Sequence, residues 1–228
     1  MVPQASGWLH RRCARLRRAV RRDRVRARTA GCAAVRRLMP MHVFIRHPPM
    51  PSLQGVCYGR LDAPLAPGTF ERAADALAAE LPDWPIVSSP TTRCLDLARA
   101  LRAAALADDP GNSVPPTRHG DVLIDARLRE LDFGTWEGQR WDALPRAALD
   151  AWSQDVAGFA APGGESFTAL IARVRQALAE LQTPHIVVTH AGVIRAALHL
   201  CGMPLAQAAS ACIAHLQPIW IHVEADPG

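Results

Sequence analysis

The chain of 228 residues contains no lysine, and arginine supplies all 26 of its basic residues. A P-loop nucleotide site depends on a lysine, and so does an enzyme that forms a Schiff base with pyridoxal or a carbonyl substrate. The sequence also has no GxSxG, HExxH or GxGxxG motif. It therefore excludes the two lysine-dependent classes and carries no signal for α/β-hydrolases, zinc proteases or dinucleotide-binding proteins.

Long apolar runs and regular cysteine spacing are absent as well. No stretch reaches the roughly 18 apolar residues that a membrane-spanning helix requires. The six cysteines are scattered, with no CxxC pair and no spacing typical of zinc ligands. Since no signal peptide is evident either, we expect reduced thiols in a cytoplasmic protein that does not bind membranes.

The net charge of +5 comes from one end of the chain. Residues 1–38 hold 12 arginines and one acid, whereas residues 39–228 hold 14 arginines and 20 acids. We therefore expect a basic, disordered extension over residues 1–38 and one domain over residues 39–228. The acidic domain has no electrostatic reason to bind nucleic acid.

Three interpretations of residues 1–38 remain open. The segment could precede the true start at Met39 or Met41, it could be a basic arm for nucleic acid or lipid headgroups, or it could be an arginine-rich targeting peptide. The first is favoured because the fold is predicted to begin at Met41 without this segment.

Two apolar segments share one design, a strand that ends in a histidine. Residues 41–45 read as a buried strand that delivers Arg46 and His47, and two prolines then end the strand. Residues 185–189 read as a second strand that delivers His190, and a helical pattern begins at Ala191. Ligands bind outside the carboxyl ends of the strands in an open α/β sheet, and a helix N-terminus favours an anion. Either histidine alone could equally be a polar residue at a strand end, but together they predict a phosphate site.

Three further side chains are candidates for this site. Arg93 lies in the first turn of a predicted helix, where the macrodipole disfavours a cation unless an anion is nearby. Glu130 is a candidate general acid and base, or it forms a salt bridge with Arg127 or Arg129. Arg60 could point towards the site or pair with Asp62.

The remaining elements predict a three-layer α/β/α sandwich with a mostly parallel sheet. Helices are predicted over 70–81, 91–106, 167–181 and 191–201, and short strands over 84–88 and 122–124. A terminal strand or hairpin over 212–223 is interrupted at Pro218, which indicates a sheet edge. Residues 132–162 lack regular periodicity and could form a lid over the substrate or be packed down by their tryptophans.

Six segments of the sequence resemble the histidine phosphatase superfamily, which includes the cofactor-dependent phosphoglycerate mutases. The resemblance covers nearly all of residues 41–223. The matching segments are Arg46-His47, residues 59–65 (GRLDAPL), 88–94 (SSPTTRC), 128–134 (LRELDFG), 162–166 (PGGES) and 189–192 (THAG).

The resemblance implies a phosphoglycerate mutase-like fold and a phosphatase that needs no metal or other cofactor. His47 would be the nucleophile that becomes phosphohistidine, and Glu130 would be the acid and base. Arg46, Arg93 and His190 would hold the phosphoryl oxygens. The helix start at Ala191 would contribute to the same anion site, and the expected partner is a small phosphorylated substrate.

The sequence departs from the family after Arg46-His47. The family usually has a glycine and an acidic or hydroxyl residue here, whereas this chain has Pro48-Pro49. Backbone N–H groups or Arg60 could replace the missing donors. This start, together with residues 57–60 (CYGR), looks like the bacterial branch of α-ribazole-phosphate phosphatases of cobalamin synthesis, which suggests a substrate. A mutase and a non-catalytic protein that binds phosphorylated ligands or nucleic acid are the alternatives, and the sequence gives no oligomeric state.

Overall fold

Five strands form one sheet in the computed structural model, which describes residues 38–65, 68, 70–107 and 121–224. The strands are β1 (Leu38–Arg46), β2 (Ile86–Ser88), β3 (Leu123–Ile124), β4 (Ile186–Thr189) and β5 (Pro218–Glu224). Their order is β3-β2-β4-β1-β5, and every neighbouring pair is parallel except β1 and β5. The predicted mostly parallel sheet with a C-terminal edge strand is confirmed, and β5 begins at Pro218.

Six α-helices accompany the sheet in the described part of the chain. They are α1 (Glu71–Glu80), α2 (Thr92–Ala107), α3 (Arg146–Gln154), α4 (Phe167–Glu180), α5 (Ala191–Leu200) and α6 (Leu205–Ala209). Short 3-10 helices lie at Pro51–Leu53, Ala126–Leu128 and Gly134–Trp136. The prediction for residues 1–38 lies outside the described residues, except that Leu38 already belongs to β1.

The two faces of the sheet are covered by different helices because β1 alternates its side chains. Val43 and Ile45 pack in one buried cluster with α1 and α2, whereas Phe44 packs in a second cluster with α4 and α5. The sheet is therefore the middle of three layers, as predicted. His42, on the same face of β1 as Phe44, is fully buried and neither ring nitrogen has a hydrogen-bond partner among the described residues.

Residues 132–162 are more ordered than their sequence indicates. They contain the 3-10 helix at Gly134–Trp136, helix α3, and a third buried cluster built on Trp136, Leu144 and Ala161. Aromatic side chains contact one another throughout this segment, and the rings of Trp141 and Trp152 stack with centroids 5.7 Å apart. The sequence of this segment lacks a regular apolar period because tryptophan side chains, and not long regular elements, form its small core.

Two further expectations concern cysteines and membranes. Cys57 and Cys94 are buried free thiols. In the part of the chain that the structure covers, no helix combines the length and apolar character needed to cross a bilayer.

Candidate active site

His47 lies directly after β1 and is almost completely buried, with 2% of its surface exposed. Its Nδ1 lies 2.6 Å from the carbonyl oxygen of Pro48. Because a carbonyl only accepts, Nδ1 must carry the proton, and the lone pair of the neutral ring is on Nε2. The carbonyl of the next residue in the chain, Pro48, therefore determines the tautomer of His47.

His190 lies directly after β4, at the N-cap position of α5, and it is fully buried beside His47. The two ring centroids are 5.2 Å apart. Nε2 of His190 lies 2.8 Å from the Ser89 hydroxyl, and Nδ1 lies 3.4 Å from Nη2 of Arg93. An arginine only donates, so Nδ1 accepts and Nε2 carries the proton. The two predicted strand-end histidines thus meet, as parallel neighbouring strands require.

Burial keeps both histidines neutral. It lowers the pKa of His47 well below the usual value for a histidine, and the positive charge of Arg93 lowers it further. Burial also lowers the pKa of His190, with additional contributions from His47 and Arg93. A neutral imidazole is the nucleophilic form, so the environment favours the form of His47 that can attack phosphorus.

Two predicted arginines flank these histidines. Arg46 donates from Nη1 to the carbonyl oxygen of Ile213 at 2.7 Å. Arg93 is fully buried and donates to the carbonyl oxygens of Gly59 and Leu61, at 2.7 and 2.8 Å. The Nε atoms of Arg46 and Arg93 are buried without a hydrogen-bond partner among the described residues. Both guanidinium groups therefore retain donor capacity beside His47.

Glu130 lies at the N-terminus of α5. Its carboxylate accepts from the backbone N–H of Gly192, at 3.0 and 3.1 Å, and from that of Leu131 at 2.9 Å. It forms no salt bridge with Arg127 or Arg129 in the described structure, and Arg127 pairs with Asp125 and Glu180 instead. Backbone N–H groups thus hold the Glu130 carboxylate in place, and Glu130 lines the cavity described below.

Arg60 is exposed and does not pair with Asp62. Its Nη1 lies 3.2 Å from Asp132, and its Nη2 lies 3.5 Å from Glu165. Asp62 accepts from the N–H and the hydroxyl of Thr92, both at 2.8 Å. Arg60 does not line the cavity beside His47, so a role in substrate binding stays a prediction.

A cavity of about 270 Å³ opens beside His47. Polar residues form one wall and apolar residues of the segment 132–162 form the other. The polar wall contains Arg46, His47, Tyr58, Glu130, the N-terminus of α5 at Ala191 and Gly192, and Arg195. The apolar wall contains Phe133, Trp141, Trp152 and Val156. The cavity can therefore hold an anionic group at one end and an apolar or ring-shaped group at the other.

Several residues that support the site were not found from the sequence. Glu137 accepts hydrogen bonds from the backbone N–H groups of residues 59–61 and Phe133, and Arg173 donates to the backbone carbonyls of Arg127, Arg129 and Glu130. His215 donates from Nδ1 to the carbonyl oxygen of His47 at 2.6 Å. Arg195 lies one turn after the start of α5 and lines the cavity. Each is a single polar residue outside the matching motifs, so only its position in the fold marks it.

The described residues contain no group of three or more His, Cys, Asp or Glu arranged to hold a metal ion. The cations beside His47 are the guanidinium groups of Arg46 and Arg93.

Fold and site together define a three-layer α/β protein with a buried histidine pair, flanked by arginines, at the carboxyl ends of two parallel strands. Residues 42–226 match the family described as the histidine phosphatase superfamily (branch 1). The chain therefore belongs to the histidine phosphatase superfamily.

Relatives with more specific descriptions are similar to parts of the chain. A glucosyl-3-phosphoglycerate phosphatase of Mycolicibacterium vanbaalenii is 34% identical over 166 residues, which is 64% of this chain and 67% of that protein. Mycobacterial relatives that include a bifunctional protein of Mycobacterium tuberculosis are 37% identical over 95 residues. That match covers 40% of this chain, and the chain spans only 22% of the length of those relatives.

Solved structures agree with the fold. A mycobacterial glucosyl-3-phosphoglycerate phosphatase in complex with VO3 has a TM-score of 0.62 and 27% identity, over 81% of this chain and 98% of that one. A phosphoglycerate mutase of Thermus thermophilus has a TM-score of 0.61 and 26% identity, over 82% of this chain and 99% of that one. These similarities establish the phosphoglycerate mutase-like fold.

Proposed function

We propose that the protein is a metal-independent phosphomonoesterase that works through a phosphohistidine on His47. The observation that carries this proposal is the hydrogen bond from Nδ1 of His47 to the Pro48 carbonyl at 2.6 Å. It leaves the lone pair on Nε2 of a neutral ring that lines the cavity.

The reaction has two steps. Nε2 of His47 attacks phosphorus, the bond from phosphorus to the leaving oxygen breaks, and Glu130 gives that oxygen its proton. Water then attacks the phosphohistidine, Glu130 takes a proton from the water, and inorganic phosphate leaves. Most of the catalysis comes from positioning and from charge neutralisation, because phosphoryl transfer needs little covalent help.

Fixed positive charge supports both steps. A phosphate monoester carries about −1.5 to −2 charge at neutral pH, and guanidinium groups bind its oxygens with forked, charge-assisted hydrogen bonds. Arg46 and the N-terminus of α5 line the cavity where this proposal places the phosphoryl group, and Arg93 adds its positive charge from a buried position beside His47. His190 does not line the cavity, and its ring is held beside His47 by its bonds to Ser89 and Arg93.

The substrate is proposed to carry a second anionic group on its leaving side. Arg195 donates from Nε to the Ala211 carbonyl at 3.0 Å, and its two terminal nitrogens have no partner among the described residues. A guanidinium on the cavity wall suits a carboxylate. The relatives with this fold include glucosyl-3-phosphoglycerate phosphatases, and a phosphoglycerate ester has such a carboxylate.

α-Ribazole 5′-phosphate and a role in cobalamin synthesis rest only on the Arg-His-Pro-Pro segment and on residues 57–60 (CYGR). The relatives named above do not carry that description, so this ester is one candidate among several. A cytoplasmic location is likewise kept as a proposal.

The test is phosphate release from a panel of monoesters with chelator present. The panel contains glucosyl-3-phosphoglycerate, 3-phosphoglycerate, glycerol 3-phosphate, α-ribazole 5′-phosphate and an aryl phosphate. Glycerol 3-phosphate has a hydroxymethyl group where 3-phosphoglycerate has the carboxylate, so the ratio of their kcat/KM values measures its recognition. We expect release by the native protein and at least a roughly 1,000-fold loss in His47→Ala, since no other residue takes over the covalent step.

The control is His199→Ala, which removes a half-buried histidine of α5 whose Nδ1 bonds to the Met203 carbonyl, away from the cavity. Its activity should equal that of the native protein. Trapping an acid-labile phosphoenzyme in the native protein but not in His47→Ala completes the test. An active His47→Ala variant would refute the phosphohistidine. An isomerised product without phosphate release would indicate a mutase, which is how the similar Thermus protein is described.

A further inference from the structure

The segment from Ile213 to Leu216 is bonded at three points to Arg46 and His47. The Ile213 carbonyl accepts from the Arg46 side chain at 2.7 Å, and the Leu216 N–H donates to the Arg46 carbonyl at 3.0 Å. The side chain of His215 makes the third bond, to the His47 carbonyl at 2.6 Å. The carbonyls of this strand end are thus held by a segment almost 170 residues further along the chain.

The backbone of this segment has an unusual conformation. Leu216 has a φ of 56°, and it is the only non-glycine residue of the described chain with a positive φ. A side chain in the left-handed region costs about 1 kcal/mol or more, and such strain persists where surrounding contacts determine it. The strained residue, Leu216, follows His215 directly and donates its N–H to the Arg46 carbonyl. The strained conformation therefore occurs in the same short segment that contacts Arg46 and His47.

The ring of His215 also lies against the ring of His47. Their centroids are 5.3 Å apart with the planes at 64°, while His190 lies 5.2 Å away at 61°. The imidazole of His47 is therefore flanked by two other imidazoles. His190 belongs to the matching motifs of the sequence, whereas His215 belongs to none of them.

The two prolines after His47 explain why a side chain is needed at this point. Proline has no N–H, so neither Pro48 nor Pro49 can donate a backbone hydrogen bond. The turn instead offers two carbonyls: the Pro48 carbonyl accepts from Nδ1 of His47, and the His47 carbonyl accepts from Nδ1 of His215. These two carbonyls lie on either side of the rigid ring of Pro48, so holding one restricts the orientation of the other.

We propose that His215 is a positioning residue for the nucleophile. It anchors the His47 carbonyl, the anchored peptide presents the Pro48 carbonyl, and that carbonyl holds His47 with its proton on Nδ1 and Nε2 towards the cavity. His215 itself does not touch the substrate, since it does not line the cavity. This inference rests on His47 being the nucleophile of the proposed function.

Kinetics of three variants test the proposal. His215→Leu removes the donor, His215→Asn retains an N–H donor on a side chain of similar reach, and His199→Leu removes a histidine-to-carbonyl bond of the same kind elsewhere. In single-turnover experiments with an aryl phosphate, His215→Leu should form phosphoenzyme about 10- to 100-fold more slowly, because small misplacements of a reacting group cost this much. KM and inhibition by inorganic phosphate should change by less than about threefold, because the groups that bind the anion are intact.

His215→Asn should recover to within about fivefold of the native rate, and His199→Leu should match the native protein. A His215→Leu variant with the native rate of phosphoenzyme formation would overturn the proposal. So would an Asn variant that is as slow as the Leu variant, because that result would indicate a general packing defect.

A measurement on the native protein covers the case in which the Leu variant does not fold. Nitrogen-15 chemical shifts at neutral pH should show His215 and His47 each with the proton on Nδ1. A proton on Nε2 of His215 would exclude its bond to the His47 carbonyl and refute the inference. This result is independent of turnover, so it separates a failure of the inference from an active His47→Ala variant, which would refute the proposed function instead.

Discussion

Three neutral imidazoles lie in contact at the end of β1. Burial lowers the pKa of His215 to about 4, and Arg46 adds to this effect, although the bond to the His47 carbonyl opposes it. The pKa values of His47 and His190 are lowered for the same principal reason. The site therefore contains uncharged rings and permanently charged arginines at neutral pH. Its positive potential does not depend on histidine protonation.

The role of Glu130 can be tested by a change that keeps its backbone contacts. In Glu130→Gln the remaining oxygen can still accept from Gly192 and Leu131, as Oε1 does in the native side chain. We expect kcat for an alkyl phosphate to fall about 100- to 10,000-fold, because an alkoxide leaves poorly without a proton donor. Steady-state kinetics with glycerol 3-phosphate and an aryl phosphate measure the effect.

The aryl ester should lose much less, since a phenolate with an electron-withdrawing group leaves without general-acid help. Equal losses for the two esters would contradict the acid role and would indicate that Glu130 acts on binding or on the fold.

Among the elements, the segment between Phe133 and Ala161 has its own small core. Trp136 is 4% exposed and its ring lies within 6.5 Å of those of Trp141, Trp152 and Phe159. The 3-10 helix that carries Trp136 is followed by Glu137, whose carboxylate accepts hydrogen bonds from the backbone N–H groups of residues 59–61 and 133. The apolar wall of the cavity thus depends on packing that is separate from the two cores beside the sheet.

Trp136→Ala should loosen this wall. Truncation of a buried tryptophan costs about 3–5 kcal/mol, and here the loss falls on a cluster that can open locally. Amide hydrogen exchange should therefore rise within residues 133–161, while the amides of β1 and β4 keep their protection. KM should rise, because Trp141 and Trp152 contact the leaving side of the substrate in the proposed site.

Trp220→Ala is the matched control, since Trp220 is 49% exposed on the edge strand β5. It should leave exchange within residues 133–161 unchanged. Faster exchange throughout the sheet in Trp136→Ala would show that the cluster is part of the main core, contrary to this prediction.

The helices with an apolar period could be predicted from the sequence within about two residues, because that period is a local property, whereas β1 begins at Leu38, three residues before the predicted strand. The predicted helix over 167–181 corresponds to Phe167–Glu180, and the predicted strand over 185–189 corresponds to Ile186–Thr189. Helices α3 and α6 could not be predicted. Both are short and begin after a proline, and neither was recognised as a separate element in the sequence.

The residues of the candidate site also fall into two groups, those that could be predicted from the sequence and those that could not. The strand ends delivered His47 and His190 to one place because parallel strands share an edge, and the geometry agrees with that argument. Glu137 and His215 could not be predicted, because their partners include groups 76 and 168 residues away along the chain and no local pattern marks them. Ion pairs between residues distant in sequence could not be predicted either. The partners of Arg60 are Asp132 and Glu165 rather than the nearby Asp62.

For the molecule as a whole, burial of His42 links stability to pH. Burial lowers its pKa from 6.5 to about 4, and the nearby His185 and His222 add to the shift. Its folded-state pKa is thus below its unfolded value, so protons bind the unfolded chain more tightly. The stabilising effect of the neutral ring is complete above about pH 6.5 and is lost progressively as the pH falls towards 4.

His42→Leu should reduce this acid sensitivity. The leucine needs no hydrogen bond and no proton, so the variant should be at least as stable as the native protein at pH 7 and should lose about 2–3 kcal/mol less between pH 6.5 and 4. Urea unfolding at a series of pH values measures the difference. The native fold retains three other histidines with lowered pKa values, so part of the acid sensitivity should remain.

A variant with the same pH profile as the native protein would show that His42 is not the group responsible. His199→Leu, which replaces a half-buried histidine that does not contribute to the pKa shift of His42, provides the comparison.

The pairing of β1 has a consequence for synthesis of the protein. Among the described strands β1 leaves the ribosome first, yet its two neighbours in the sheet, β4 and β5, begin at Ile186 and Pro218. The segment that holds Arg46 and His47 is translated between those two strands. A nascent chain therefore cannot pair β1 on both sides, with Arg46 and His47 held at its end, until β5 has emerged. Growing chains should be inactive at every earlier length, and the exposed β1 of a stalled chain is a target for chaperones.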